Sequence, residues 1–391
     1  MQTQSLIAQR TNRMSVNAIR EILKVVSQPG MTSLAGGIPA PESFPMGIIQ
    51  KLSHQVIETY GSSAFQYGPT EGFAPLRQHL ANRLKKKKGI QAKPENVFIS
   101  SGSQGALDAV GKALISKGDK IGMESPTYLG AIQAFDPYEP DYVTLDTDEE
   151  GLIPESLEAV LNRTPLKFIY LVPTFQNPSG RTLPMERRER IAAILARYDV
   201  LLVEDDPYSD LRYDGKPLKP IKALAPDHVL YIGTMSKIFA PGLRVGYYVP
   251  PALLEDWLVI VKQGVDLHTS TFNQALAAQY LSGNHLEHHL PHIIALYKPK
   301  KDAMLKALAN FFPTDFTWSK PEGGMFVWVE GPPGYDMSAL YQRAIRKNVA
   351  FVPGKYFFAD SQSGKETMRL NFTMADEATI EGAIHVLSKL I

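Results

Sequence analysis

Ser236, Lys237 and Arg244 fall within GTMSKIFAPGLRVG (233–246), directly after the apolar run HVLYIG (228–233). Two cations so close to a core strand need either solvent or an anion. Three other stretches raise similar questions. In SSGSQGAL a strand gives way to a helix whose free N–H groups and dipole make an anion site, with Ser101, Ser103 and Gln104 as added donors. In VPTFQNPSG (172–180), Asn177 offers a donor and an acceptor on one short stem, just beyond a strand. In LLVEDDPYSDL (201–211), an apolar strand ends on Glu204, Asp205 and Asp206, and buried acids need partners. The spacing of Asp205 and Tyr208 suits an anion and a phenol presented to one planar ligand. Plainer readings stand beside these: N-capping by serine, turn chemistry for Asn-Pro-Ser-Gly, and a helix cap for one of the acids. All four stretches lie past the carboxyl ends of strands, where open α/β sheets bind ligands, so the cluster says more than any member.

The elements that must position these residues run from about Val97 to Val249. The strand candidates are VFIS (97–100), KIGM (120–123), DYVTL (141–145), KFIYLV (167–172), VLLVED (200–205), HVLYIG and RVGYYV (244–249). Several are apolar throughout, which predicts strands covered on both faces. Gly105–Leu114 carries Leu107, Val110 and Leu114 on one stripe. Pro184–Tyr198 starts with a proline and carries Ile191, Ile194 and Leu195. Strand–helix alternation predicts a mainly parallel sheet with helices on both sides. The link before RVGYYV is short and rich in Pro and Gly, which predicts that the seventh strand runs antiparallel. After Gln274 a long helical region is expected to break near Pro291. The remainder, with GGMFVWVE, VAFVPG, MRLNF and a final helix from Asp376, reads as a smaller α+β domain. A helix is expected over Val16–Val26, in a segment packed on that domain.

Length and composition set limits. The 391 residues exceed one core and predict two domains. The fractions, 44% apolar and 21% charged, are those of a globular protein, and a net charge of +1 makes no case for nucleic acid or an acidic membrane. The basic run Lys85–Lys88 before Gly89 reads as a solvated helix end. Without cysteine there is no disulfide, thiolate metal site or thiol nucleophile. No apolar run spans a bilayer and the polar start MQTQSLIAQRTNR lacks a signal-peptide core, so the expected location is cytoplasmic.

The ordered set SGSQGAL, PTYLGA, PTFQNPSG, VEDDPY, TMSK with LRVG, and MRLNF resembles the fold-type-I, pyridoxal-5'-phosphate-dependent aminotransferases of class I/II. SLAGGIPAPESFP (33–45) and YGPTEGFAPLR (67–77) resemble the subgroup of 2-aminoadipate, kynurenine and broad-specificity aromatic aminotransferases. The resemblance implies the aspartate-aminotransferase-like fold: a mainly parallel seven-stranded sheet flanked by helices, plus a smaller α+β domain. It implies an N-terminal segment (1–46), a large cofactor domain (47–291) and a small domain (292–391). It implies that Lys237 is the Schiff-base lysine and proton shuttle, and that Asp205 holds the pyridine nitrogen protonated. By the same resemblance Tyr208 and Asn177 partner the ring's phenolic oxygen, Tyr128 stacks on the ring, and Ser103, Gln104, Ser236 and Arg244 hold the phosphate. Tyr67 reaches the phosphate of a neighbouring subunit, which implies a homodimer with shared sites. Arg369 and Gly37, with Asn177, receive the substrate carboxylate, and Arg20 pairs with a distal carboxylate. Tyr67 and Phe272 are aromatic candidates for lining a side-chain pocket. The implied reaction moves the amino group of a 2-aminoadipate, aromatic or branched-chain amino acid to 2-oxoglutarate, with no metal. The competing readings are a C–S lyase or decarboxylase on the same cofactor, and a non-catalytic regulator. The latter carries this domain behind a winged-helix module; here the aminotransferase-like region starts almost at residue 1, so no such module is expected.

Overall fold

The computed structural model describes residues 6–14, 28, 30–360 and 362–391. Arg20 and the helix expected over Val16–Val26 lie outside the described residues. The N-terminal segment contributes a short strand, β1 (Thr32–Ser33). The large sheet is built from β2 (Phe98–Ser101), β3 (Lys120–Glu124) and β4 (Asp141–Leu145). After a hairpin, β5 (Thr147–Asp148) and β6 (Gly151–Leu152), it continues with β7 (Phe168–Leu171), β8 (Leu202–Asp206), β9 (Val229–Thr234) and β10 (Val245–Val249). The seven strands of the sheet lie in the order β2-β10-β9-β8-β7-β3-β4. Pairing is parallel from β4 to β9, and β10 runs antiparallel to both of its neighbours. The tight Pro/Gly link predicted this reversal. It has a functional consequence: the start of β10, where Arg244 sits, comes to the same edge as the carboxyl ends of the parallel strands.

Successive side chains of a strand point to opposite faces. Phe168, Tyr170, Val203, Leu230 and Ile232 join one apolar core, whereas Ile169, Leu171, Leu202 and Val229 join the other. The first core is closed by helices such as Gly102–Leu114, through Leu107 and Val110. The second is closed by Met185–Tyr198, through Ile191, Ile194 and Leu195. The continuous apolar runs of β7, of β9 and of the first half of β8 follow from this two-sided burial.

A second sheet follows, with β11 (Thr317–Trp318), β12 (Phe326–Glu330), β14 (Val352–Pro353) and β15 (Thr367–Asn371) in the antiparallel order β11-β12-β15-β14. Between β12 and β14, β13 (Val349–Ala350) pairs in parallel with β1. The Asn371 N–H also donates to the Leu34 carbonyl at 2.7 Å, so the segment after β1 is tied beside β15. The short helix Gln9–Arg13 lies instead against Asp136–Tyr138.

The expected break near Pro291 is corrected: one helix runs from His285 to Phe311 through Pro291 and Pro299. Each proline removes a backbone bond, at about 3 kcal/mol. Burial of Leu286, Ile293, Tyr297, Met304 and Leu308 along one side outweighs that loss, at roughly 1.5–3 kcal/mol per side chain.

Candidate active site

β9 ends at Thr234, and the chain turns at once into Met235–Phe239. This turn leaves Lys237 half-buried, reaching toward the N-terminal segment. Its Nζ donates to the Gly37 carbonyl at 3.0 Å. Burial, with Arg369 and Arg244 close by, pulls the amine down to about 8. A neutral amine is therefore within reach at mildly alkaline pH, as a nucleophile requires.

Asp205 comes from the end of β8 and is 1% exposed. Its Oδ2 accepts the Tyr170 hydroxyl at 2.8 Å, while Oδ1 is buried without a partner. Burial pushes this carboxyl up to about 7, against the Tyr170 hydrogen bond. A buried oxygen with nothing to bind is the mark of a missing donor.

Arg369 lies in β15, flanked by Trp328 of β12 and Val352 of β14. An arginine in an alternating strand would ordinarily face water, yet this strand is buried at every position. Its guanidinium sits 4.3 Å from the ring centre of Phe326 and 4.9 Å from that of Phe357. It donates to the Asn177 Oδ1 at 2.8 Å and to the Ala35 carbonyl at 2.7 Å, and Nε is left without a partner. Burial pulls its pKa down to about 10. Among the described residues no carboxylate pairs with it, so a substrate carboxylate has a place to bind. Asn177 joins the two parts of the site, since its Nδ2 donates to the Tyr208 hydroxyl at 3.4 Å. Tyr208 is buried, which raises its pKa, and its ring meets Phe326 edge-on.

The opposite end of the site is the N-terminus of Gly102–Leu114. Ser101 is the N-cap residue but makes no side-chain cap. Its hydroxyl donates instead to the Asp266 Oδ2 at 2.5 Å, so capping is not its role here. The Gln104 side-chain amide donates to the Gly130 carbonyl at 2.7 Å, tying the helix to the Tyr128 turn. The first-turn N–H groups remain as donors. Arg244, with φ of +53°, lies over Gly102, where a Cβ would collide with the guanidinium. Gly246 permits the same close approach, because a Cβ there would stand 2.7 Å from the Ser103 nitrogen. Ser236 is linked to Thr234, whose Oγ1 donates to it at 2.9 Å. Tyr128 folds over Gly130, and burial pushes its phenol up to about 12.

Tyr67 is 79% exposed, edge-on to His268, and Phe272 stacks on Phe65. Tyr67 thus lies at the surface of the chain, whereas Phe272 is half-buried against the core.

Two expectations about charge are corrected. Lys88 is not solvated. A π-helical turn over Leu84–Lys88, closed by Gly89 at φ +75°, swings it inward to pair with Asp206 at 2.9 Å. The reason is the acid run itself: a buried Asp206 demands a cation. And no helix follows the acids. Asp206 instead accepts the Ser209 N–H at 3.1 Å in a turn, while Glu204 accepts the N–H groups of Ile221 and Lys222. Sequence reasoning also passed over Tyr170, the one polar side chain in FIYL, and the pair Glu124–Gln176, which braces the Asn177 loop. The Gln176 amide donates to the Pro126 carbonyl at 2.7 Å, and its Oε1 accepts the Ser179 N–H at 2.9 Å.

The chain is similar to known proteins over almost its whole length. The model of "Aminotransferase class I and II" matches residues 43–387. The aromatic-amino-acid aminotransferase 1 of Thermococcus litoralis is 46% identical, over 97% of this chain and 92% of that protein. The crystal structure of Pyrococcus horikoshii kynurenine aminotransferase, in complex with PMP, superposes with a TM-score of 0.96 at 44% identity, over 100% and 97% of the two chains. That of the α-aminoadipate aminotransferase from Thermus thermophilus, complexed with N-(5'-phosphopyridoxyl)-L-leucine, gives 0.93 at 37%, over 100% and 98%. Class I and II aminotransferases use pyridoxal phosphate to transaminate amino acids, and this chain belongs to that family.

Proposed function

We propose that the site transfers the amino group of an L-amino acid of aromatic, 2-aminoadipate or branched-chain type to 2-oxoglutarate, with pyridoxal 5'-phosphate bound at Lys237. The observation that carries the reading is a set of three ionisable side chains: buried Asp205 and Arg369, each with an unpartnered atom, and half-buried Lys237, whose Nζ reaches the Gly37 carbonyl. The residues present suit the cofactor. Asp205 Oδ1 lacks a donor, as a protonated ring nitrogen would supply. The uncapped helix end at Ser103 and Gln104, with Ser236 and Arg244, suits a phosphate. Tyr208 and Asn177 suit the phenolic oxygen, and Tyr128 a ring face. When bound, the cofactor supplies an electron sink for the pair left by a broken Cα–H bond and an aldehyde carbon that exchanges amines.

The chain's own residues do the rest. Arg369 and Asn177, with the Gly37 backbone beside them, hold the α-carboxylate and so fix the direction of the Cα–H bond. Lys237 Nζ, once free, takes the α-proton and returns it, because burial and the two arginines keep it neutral enough to act as a base near pH 8. Asp205 opposes loss of the ring proton.

A second copy of the chain completes the reading. Phe65, Tyr67, Leu253, Trp257, Ile260 and Val265 are large apolar side chains left exposed. A homodimer would cover them and carry Tyr67 toward the neighbouring phosphate. No helix among the described residues is long and apolar enough to cross a membrane. Arg20 remains the candidate for a distal carboxylate.

The test is a panel of amino donors, aminoadipate, kynurenine, phenylalanine, leucine and valine, each with 2-oxoglutarate. We expect glutamate and the matching oxo acid from at least one donor. Turnover that needs no amino acceptor would identify a lyase or decarboxylase and overturn the reading.

A further inference from the structure

The two oxygens of Asp205 have different surroundings. Oδ2 accepts the Tyr170 hydroxyl and Oδ1 is buried without a partner. Tyr170 comes from β7, in register with Val203 of β8. Asp205, two residues beyond Val203, therefore projects from the same face of the sheet. The Tyr170 ring is fully buried and set edge-on against Phe135, with 6.0 Å between ring centres. A buried phenol must place its O–H on an acceptor, and in the strand FIYL the acceptor it uses is this carboxylate. Among the described residues no other donor reaches Asp205.

We propose that Tyr170 is a positioning residue: its hydroxyl holds the Asp205 rotamer and occupies Oδ2, so that Oδ1 is the oxygen presented to the cofactor's ring nitrogen. This rests on the reading of Asp205 given above. The hydroxyl has a second effect. Burial and the neighbouring Asp206 both favour the neutral carboxyl, whereas the Tyr170 hydrogen bond favours the carboxylate. The other charges nearby leave that task to it. Asp206 has its own cation in Lys88, and Glu124, whose field Tyr170 feels, is itself an acid. Tyr170 thus joins two requirements, orientation and ionisation, in one donor.

Tyr170→Phe deletes a single oxygen and keeps the ring that packs on Phe135. The measurements are the dissociation constant of pyridoxal 5'-phosphate and the pH titration of the bound cofactor's ring nitrogen, followed by the 15N signal of ring-labelled cofactor. Asp205→Asn serves as comparator, and thermal unfolding of each cofactor-free variant reports the fold. We expect Tyr170→Phe to weaken cofactor binding about tenfold and to lower the ring-nitrogen titration midpoint by about one pH unit. Turnover is expected to fall by a similar factor with the KM for amino acid unchanged. A purely structural role would lower the unfolding temperature but leave the titration midpoint in place. If Tyr170→Phe matches the wild type in affinity and midpoint while Asp205→Asn loses the ring proton, the positioning role is overturned and the role of Asp205 stands. If Asp205→Asn keeps the ring proton, the reading of Asp205 fails and the inference with it.

Discussion

Asp205 and Asp206 are neighbours in sequence, both buried, and opposite in character. Asp206 accepts from Lys88 at 2.9 Å, the Ser209 hydroxyl at 2.6 Å, the Ser209 N–H at 3.1 Å and the Tyr231 hydroxyl at 2.7 Å. Burial alone would push it up, yet Lys88 and these donors hold it below the usual carboxylate range. Asp205 has one donor and is pushed up to about 7. The cations repeat the contrast. Lys222 donates to the carbonyls of Pro226 and Val229 at 2.7 Å and of Pro250 at 3.3 Å, whereas Lys237 has the Gly37 carbonyl alone. Burial pulls both lysines down to about 8, so pKa does not separate them. Arg188 places its guanidinium on three carbonyls and the Thr174 hydroxyl; Arg369 keeps an unpartnered Nε. In these three pairs the member placed in the site is the one with fewer partners. An unpartnered atom alone does not mark the site, since Arg212 Nη2 is buried without a partner elsewhere; it is the clustering of such groups that suits a ligand.

The comparison breaks most plainly at Lys237. Lys237→Ala should reduce turnover by ~10⁴-fold or more, since one group is both the attachment point and the base. The cofactor-free protein should unfold at the wild-type temperature or above it, because an under-partnered, half-buried amine has been removed. Retention of turnover within about tenfold would place the chemistry elsewhere.

Lys88→Met belongs to the other class. It strands Asp206 as a buried, unpaired charge, so denaturant unfolding should show a loss of about 3–5 kcal/mol. A loss indistinguishable from zero would mean that the Lys88–Asp206 pair is not structural.

Asp205→Asn gives the most diagnostic effect, a pH-dependent one. The carboxyl titrates near 3.8 in the unfolded chain and near 7 in the native, cofactor-free protein. Between those values the native state holds a proton that the unfolded state has lost. This group therefore lowers stability progressively as pH rises through the window, and the whole penalty stands above it. The amide does not titrate. The stability of Asp205→Asn relative to wild type should climb between about pH 4 and 7 and then level off, by on the order of 4 kcal/mol. A difference independent of pH would show that Asp205 is not short of a partner.

The strands were legible because two-sided burial forces continuous apolar runs, as in FIYL and VLYIGT. The reversal of β10 was legible because APG leaves no room for a crossover. Continuity of the His285–Phe311 helix was not, since Pro291 and Pro299 are local breakers that only packing along the whole helix overrides. The inward turn of Lys88 was hidden for the same reason: KKKKG reads as a helix end in isolation, and its partner lies 118 residues further on. Tyr170 sat in plain view as the hydroxyl of an apolar strand, but its acceptor depended on the register between β7 and β8.

The residue types at strand ends, and their order along the chain, are properties of the sequence by itself: an amine, an acid, an arginine and a Ser/Gly-rich helix start. Which of those charges are spent on the protein and which are left for a ligand was decided only by tertiary structure. Partners such as Arg369 and Asn177, 192 residues apart, meet through sheet order and through the placing of one sheet beside the other. A hydrogen bond depends on distances of a few ångströms, and no pattern along the chain specifies those across hundreds of residues.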